Sequence, residues 1–387
     1  MTDIIIAGIG QTPVGEHWDT SLRSLAAFAI QSAIQDSGGL IPQVLYLGNI
    51  LAANLSHQAH LGTLLSDYAG LNGIEAESID VGGASGGAAL RQGYLAVKSG
   101  LVDVALVVGV EKFTDVIGPD QEAALATLVD ADYEAIQGLT ITAQAALLTH
   151  RYMHENHVPV NGLAGFPLTA HANGAGNKNA MFRKEVSLEA YQKAEPVCEP
   201  LNIFDVAPNA DGAAAIVLTR RDLLPQDFPH PLVRLTSSSI ASDTFSVEGR
   251  DDPLLFAAAQ ASARQAFQIA GVALEQIDLF EFYDAFSIYA VLSLEAAGLA
   301  ERGNGWKMAG DGTIALTGQY PCATQGGLKS RGNPGGATGV YQAVEASAQL
   351  RGQAGVNQIE NAKIAMIQSL AGPASVAVTH ILERAEN

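Results

Sequence analysis

Basic residues are scarce in this chain of 387 residues: 21 Lys and Arg stand against 40 Asp and Glu, which leaves a formal charge of −19 at pH 7 and a pI near 4.7. Such a surface is not built to neutralise the phosphates of a nucleic acid or to lie on an anionic membrane, so neither is expected as a partner. Long apolar runs are missing too. No stretch approaches the roughly 18 consecutive apolar residues of a membrane-spanning helix. The N-terminus opens on the strand-like Ile4-Ile5-Ile6 with no basic segment before it, which makes the cytoplasm the expected compartment. The two cysteines, Cys198 and Cys322, cannot build a disulfide framework and form no CxxC, and the nine histidines include no HExxH; no metal site is expected. The common phosphate-binding loops are excluded as well, because there is no GxxxxGKS/T and no GxGxxG with an acid about twenty positions on.

What the chain does have is apolar mass, 48% of residues against 16% charged, and 40 glycines. This composition buries a large core. Short β-branched runs alternate with longer helical stretches, the order of an α/β protein. Strands are expected at 4–7, 44–47, 104–110, 213–218, 232–235, 279–282, 364–367 and 376–382. Val104-Ala105-Leu106-Val107-Val108, apolar on both faces, reads as a strand between two helix layers.

The second half repeats the layout of the first. In one, the Val44 to Leu47 strand precedes the turn Gly82-Gly83-Ala84-Ser85-Gly86-Gly87, a helix from Ala88 to Lys98 and the Val104 strand. In the other, the Leu279 strand precedes Gly332-Asn333-Pro334-Gly335-Gly336, a helix from Ala337 to Leu350 and the Ile364 strand. Gly100 and Gly352 sit where left-handed caps would end the two helices. An internal duplication is therefore expected, with halves at 1–225 and 230–387 joined by a Pro-rich link. Residues of about 113–200 form an insertion without a counterpart, placed over any site the halves share.

Two glycine-opened helices facing a common centre would point unpaired amides at it and favour developing negative charge there. The same glycines could instead only permit close helix packing.

The segments Lys98-Ser99-Gly100-Leu101-Val102-Asp103 with the strand after it, Asp211-Gly212-Ala213-Ala214-Ala215, Tyr283-Asp284-Ala285-Phe286, and Gly326 through Gly339 resemble a thiolase of the sterol-carrier or lipid-transfer type, the acetyl-CoA acetyltransferase-like branch. The resemblance covers the whole chain. It implies the five-layered αβαβα thiolase fold, a homodimer, a CoA thioester as substrate and no bound cofactor. Relatives of this branch also pair with a small zinc-ribbon and OB-fold protein. The family's catalytic residues are replaced. Its nucleophilic cysteine corresponds to Gly83, its Gly-His-Pro histidine to Asn333, and the first residue of its His-Asp-Ala-Phe type motif to Tyr283. The second cysteine falls at Ser369 or Leu370 in one branch and at Ala285 in another.

Glycine cannot form an acyl-enzyme, so ordinary thiolase chemistry is not expected. A CoA-ester enolate could still be held by backbone amides, at Gly83 and at the Ala371-Gly372 turn, and retro-aldol cleavage needs an enolate but no covalent intermediate. Tyr283 then becomes either a proton-transfer group, as in thiolase-like steroid side-chain aldolases with a Tyr-Asp-x-Phe motif, or a hydrogen-bonded filler of the space left by histidine. Ser85, Gly335 and His171 are the expected substrate contacts. Cys322 is a displaced nucleophile or a small buried hydrophobe, and Cys198 is structural. His150, His154 and His157 have helical metal-ligand spacing but read as one side of an amphipathic helix. Asp284 and Phe286 read as structural, and Glu111 and Lys112 as a dimer-interface feature. Three functions follow: a cysteine-independent lyase, an acyltransferase, or a non-catalytic acyl-CoA-binding subunit.

Overall fold

The computed structural model describes residues 3–385. The chain runs β1 (Ile4–Gln11), α1 (Leu22–Asp36), β2 (Val44–Gly48), α2 (Ala52–Leu55), α3 (Leu61–Tyr68), β3 (Glu75–Ile79), α4 (Ser85–Ser99) and β4 (Val104–Glu111). An inserted region holds α5 (Pro119–Leu125), α6 (Ile141–Glu155), α7 (Gly165–Ala175), α8 (Leu188–Gln192) and the short ribbon of β5 (Pro196–Cys198) and β6 (Leu201–Asn202). Then follow β7 (Gly212–Arg220), β8 (Val233–Ser242), α9 (Ala257–Ala270), β9 (Leu279–Glu281), α10 (Ser287–Ala297), α11 (Lys307–Gly310), α12 (Thr338–Arg351), β10 (Ile364–Ala371) and β11 (Val376–Arg384).

Nine strands form one sheet in the order β3-β2-β4-β7-β1-β8-β11-β10-β9. Antiparallel β1 and β8 join at its middle, Ile5 opposite Arg234. Outward from that join, the first half reads β1-β7-β4-β2-β3 and the second β8-β11-β10-β9, with the same succession of antiparallel, antiparallel and parallel pairings. In the place of β3 the second half has a single parallel bridge, Cys322 opposite Phe280 of β9. Strand β3, Glu-Ala-Glu-Ser-Ile, is the one strand of this sheet that the residue pattern misses, because its edge position leaves it largely exposed and removes the apolar signature.

Three cores account for the layers. Val104, Leu106 and Val108 of β4 pack with α1 and α3 on one face. Ala105 and Val107 pack on the other face in a core holding Leu90 and Tyr94 of α4, Val340 and Tyr341 of α12, and residues of both halves' strands. On the far side, Phe280, Met366 and Ile381 join α9 and α10. Helices α4 and α12 are thus the middle layer of αβαβα. Each fully buried Val or Leu of this kind contributes roughly 1.5–3 kcal/mol.

Left-handed Gly100 and Gly352 end the two central helices. Helix α4 starts at Ser85, three residues before the expected Ala88, because the first turn winds directly out of the glycine run: Ser85 Oγ donates to Gly82 O at 2.6 Å and accepts from Val81 N at 2.9 Å.

Candidate active site

The first turns of α4 and α12 touch backbone to backbone. A β-carbon on Gly86 would lie 2.7 Å from Gly336 O, and one on Gly339 would overlap Gly87 N. Gly86 and Gly339 are therefore required for close approach. The glycines just before α4 do something else: they form part of the wall of a cavity of about 460 Å³ between the insertion and the C-terminal half.

Of the residues singled out in the sequence, Gly83, Tyr283, Asn333, Gly335 and Gly372 line this cavity, as does Ala285. A β-carbon on Gly83 would lie 2.5 Å from Tyr283 Oη and 2.7 Å from Leu370 O. The phenol thus occupies the space a side chain at position 83 would need. Tyr283 is only 6% exposed. Burial first, and then Asp284, pushes its pKa above the ordinary phenol value, so the hydroxyl stays protonated at neutral pH. Its Oη has no hydrogen-bond partner among the described residues, unlike the satisfied filler considered above.

The loop that presents Tyr283 is pinned from several sides. Gln342 of α12 donates to Phe282 O at 2.9 Å and to Gln368 O at 3.1 Å. Leu328 N donates to Asp284 Oδ1 at 2.7 Å, Ala207 N to Ala285 O at 2.8 Å, and the Phe286 ring packs on edge against Tyr289 with centroids 5.0 Å apart. Asp284 anchors the loop, as expected, whereas Phe286, packed against Tyr289, also lines the cavity. Asn333 accepts at Oδ1 from Gly335 N at 3.2 Å and from Thr338 Oγ1 at 3.4 Å. This fixes the amide so that its Nδ2 is the free donor at the cavity wall. Gly372, with φ +50, forms the β10–β11 turn.

Other expected site residues lie elsewhere. Ser85 is fully buried and holds the turn before α4 through its bonds to Gly82 and Val81 rather than meeting a substrate. Ser369 is buried behind the cavity and donates to Gln342 Oε1 at 2.8 Å. Its strand position carries it into the α4–α12 layer, and Leu370 is buried beside it. His171 faces an adjoining, mostly apolar cavity of about 440 Å³ that shares Val197, Val206 and Ala207 with the first, stacked 6.0 Å from Phe182, and burial lowers its pKa. Cys322 is fully buried outside the cavity, its Sγ donating to Tyr320 O at 3.1 Å. Burial, then Glu281 and Asp284, drives its thiol pKa well up, the opposite of an activated nucleophile. Cys198 is half-buried in β5. His157 stands beyond the end of α6 in a left-handed conformation, and no group of three metal-ligating side chains occurs among the described residues.

Glu111 is not an interface residue. It is fully buried and accepts from Asn49 Nδ2 (2.8 Å), Leu51 N (3.1 Å), Ile50 N (3.0 Å) and Gly336 N (3.0 Å), tying the first half to the head of α12. Burial raises its pKa to about 7 against those bonds. Lys112 is likewise internal, 3.1 Å from Asp211 and 2.8 Å from Asp115.

Residue reasoning missed Asp80, Glu122 and Gln144, all on the cavity wall. Asp80 Oδ1 holds Gly82 N at 3.0 Å, and its place two residues before the glycine pair was a usable signal. Glu122 and Gln144 come from the insertion, whose path is not encoded locally. No helix among the described residues is long and apolar enough to cross a membrane.

Comparison with known proteins bears on this arrangement. The family described as "Thiolase, N-terminal domain" matches residues 4–222, and "Thiolase C-terminal domain-like" matches 239–384. An acetyl-CoA acetyltransferase of Methanothermobacter thermautotrophicus is 38% identical over 386 residues, 99% of this chain and 100% of the relative. The Ltp2-ChsH2(DUF35) aldolase is similar in fold, with a TM-score of 0.82 at 22% identity over 99% of this chain and 98% of that one. Human mitochondrial 3-ketoacyl-CoA thiolase in complex with CoA gives a TM-score of 0.74 at 18% identity, covering 100% and 98%.

Proposed function

The chain belongs to the thiolase superfamily, and from that premise we propose that it cleaves or forms a carbon–carbon bond next to an acyl-CoA thioester by retro-aldol chemistry without a cysteine. One observation carries this reading: a protonated, unpartnered phenol, Tyr283, fills the side-chain space of Gly83 at the cavity wall.

In the cleavage direction a base takes the β-hydroxyl proton, the Cα–Cβ bond breaks, its electron pair forms the thioester enolate, and a ketone or aldehyde leaves. The enolate oxygen is met by the amides of the Gly83 and Gly372 turns and by Asn333 Nδ2, donors that need no reorganisation. Tyr283 then protonates Cα. This is the role its raised pKa suits, since a group protonated at neutral pH serves as an acid rather than a base. The carboxylates on the wall, Asp80 and Glu122, are the available bases. No cysteine among the described residues lines the cavity, which disfavours an acyltransferase. The printed name of the similar aldolase couples Ltp2 with ChsH2(DUF35), which supports adding a partner chain, of the zinc-ribbon and OB-fold kind, to a homodimer of this one. The chain needs no bound cofactor in this reading.

Incubation with β-hydroxyacyl-CoA esters should release a carbonyl compound and a shortened acyl-CoA, and Tyr283→Phe should slow release at least about 100-fold. Tight acyl-CoA binding without turnover, alone or with a partner, would instead make the chain a binding subunit.

A further inference from the structure

The cavity borders polar atoms that no other group of the chain uses. Gln144 of α6 and Tyr289 of α10 both line its wall. Gln144 is 3% exposed and Tyr289 0%, yet Gln144 Oε1 and Tyr289 Oη have no hydrogen-bond partner among the described residues. A third such atom belongs to Arg250, in the loop between β8 and α9 and 8% exposed. Its Nη1 donates at 2.6 Å to the carbonyl of Pro373, itself a wall residue, and its Nε donates to Thr244 O at 3.0 Å, which leaves Nη2 unpartnered. Buried polar atoms are nearly always paired, so three in one neighbourhood point to a ligand.

Glu134 of the insertion joins the three. Its Oε1 accepts from Gln144 Nε2 at 2.8 Å and from Val247 N at 3.2 Å, its Oε2 accepts from Asp130 N at 2.9 Å, and its charge bears on both Arg250 and Tyr289. A carboxylate only accepts, so this bond turns Nε2 of Gln144 toward Glu134 and leaves Oε1 as a free acceptor. The Tyr289 ring is held edge-on by Phe256 and Phe286, at centroid distances of 5.7 and 5.0 Å, which fixes where its hydroxyl stands. Burial first, and then Tyr283, push the phenol's pKa up while Arg250 draws it down, so it is a protonated donor at neutral pH.

The neighbourhood thus offers one acceptor and two donors. A hydroxyl matches that set, because it accepts from a donor and gives its own proton to Gln144 Oε1. A ketone leaves Gln144 unpaired, and an alkyl group leaves all three. A carboxylate is a poorer match still: Arg250 already has Glu134 beside it and Asp243 Oδ2 at 3.8 Å, so a third acid would outnumber the one cation. Nor do these groups suit the β-hydroxyl that the reaction consumes. That hydroxyl needs a base, and a protonated phenol, an amide oxygen and a guanidinium do not supply one.

The geometry points to a second recognition site in this cavity: Gln144, Tyr289 and Arg250 bind a hydroxyl that the acyl group carries beyond its β-carbon, which makes hydroxylated acyl-CoA esters the substrate class. The inference rests on the acyl-CoA reading of the cavity and narrows it.

The test is calorimetric titration of the full-length chain, in whatever oligomer it forms, with hexanoyl-CoA, its 5-hydroxy and 6-hydroxy derivatives, and adipoyl-CoA. One of the hydroxy esters should bind about tenfold or more tightly than hexanoyl-CoA, since a site built to bond a hydroxyl discriminates against the analogue without it, and adipoyl-CoA should gain nothing. Tyr289→Phe loses no bond within the chain and keeps the ring packing. It should abolish the preference and leave hexanoyl-CoA binding unchanged. Equal binding of plain and hydroxy esters, a preference that survives Tyr289→Phe, or tightest binding of adipoyl-CoA would each overturn this inference and leave the acyl-CoA reading standing. If no ester binds, the acyl-CoA reading fails and this inference with it.

Discussion

Each half of the molecule reaches across to the glycine turn of the other, and does so with a different kind of group. From the first half, Glu111 enters the turn that opens α12, where Gly335 leaves it room and Gly336 N donates to it. From the second half, Tyr283 enters the turn before α4, where Gly83 leaves it room. Glu111 is closed off by four donors, whereas Tyr283 Oη, at the cavity wall, has no partner among the described residues. A satisfied buried carboxylate holds structure together, and an unsatisfied hydroxyl at a cavity wall is available to a ligand. The two cross-half contacts are thus unlike: one is saturated and joins the halves, and the other leaves a hydroxyl unpartnered at the cavity wall.

The contrast breaks most clearly in Glu111→Ala, which strands three backbone amides and leaves Asn49 Nδ2 only its bond to Val110 O; unfolding in denaturant should reveal a loss of about 3 kcal/mol or more. Tyr283→Phe should do the reverse, changing stability by less than about 1 kcal/mol because its hydroxyl has no partner to lose, while removing turnover of β-hydroxyacyl-CoA. An equal stability loss in both variants would erase the distinction. Next in size, Gly83→Cys should destabilise by about 1–3 kcal/mol through the clash with Oη. Adding Tyr283→Ala should recover more than about 1 kcal/mol of that, a coupling that a double-mutant cycle measures.

A pH series sharpens the comparison further. Buried Glu281 of the second half, which accepts from Thr324 N at 3.0 Å, has a pKa raised to about 8 by burial and then by Glu345. Its folded-state pKa lies above the unfolded one, so the native state holds the proton more tightly. Stability is fullest below about pH 4.5 and falls as pH rises through about 8. Between pH 7 and 8.5 the melting temperature should fall, and Glu281→Gln should flatten that fall by about one degree, about what one kcal/mol yields in a chain of this size. The smallest effect is expected for Ser369→Ala, about 1 kcal/mol from the lost bond to Gln342, with kcat unchanged.

Much of this site could be read from residues because it is written in glycines. Gly83, Gly335 and Gly372 mark places where backbone turns with no room or no conformational latitude for a side chain, and Asn333 lies two residues before one of them, whereas Tyr283 is far from all three in sequence and was legible only through the resemblance of Tyr283-Asp284-Ala285-Phe286 to a family motif. Ser85 was drawn in by its place beside Gly83, and Ser369 and His171 by the family resemblance, yet one turn of helix or one step along a strand points a side chain to the opposite face. Glu111 shows the other limit. Its partners come from residues 49–51 and from Gly336, 225 positions further on, and a carboxylate after an apolar strand carries no local sign of either. The insertion's contribution, Glu122 and Gln144, depends on where a long excursion returns, which no local pattern encodes.

The backbone contact of Gly87 with Gly339 also has a kinetic meaning. It joins residues about 250 positions apart, and such contacts are among the slowest to be reached by a folding chain. Each half can assemble its own strands early, but this joint admits nothing until both helix heads are formed and aligned. Because the cavity borders it, ligand-binding competence should emerge as the last event of refolding, after most of the helical signal has already returned.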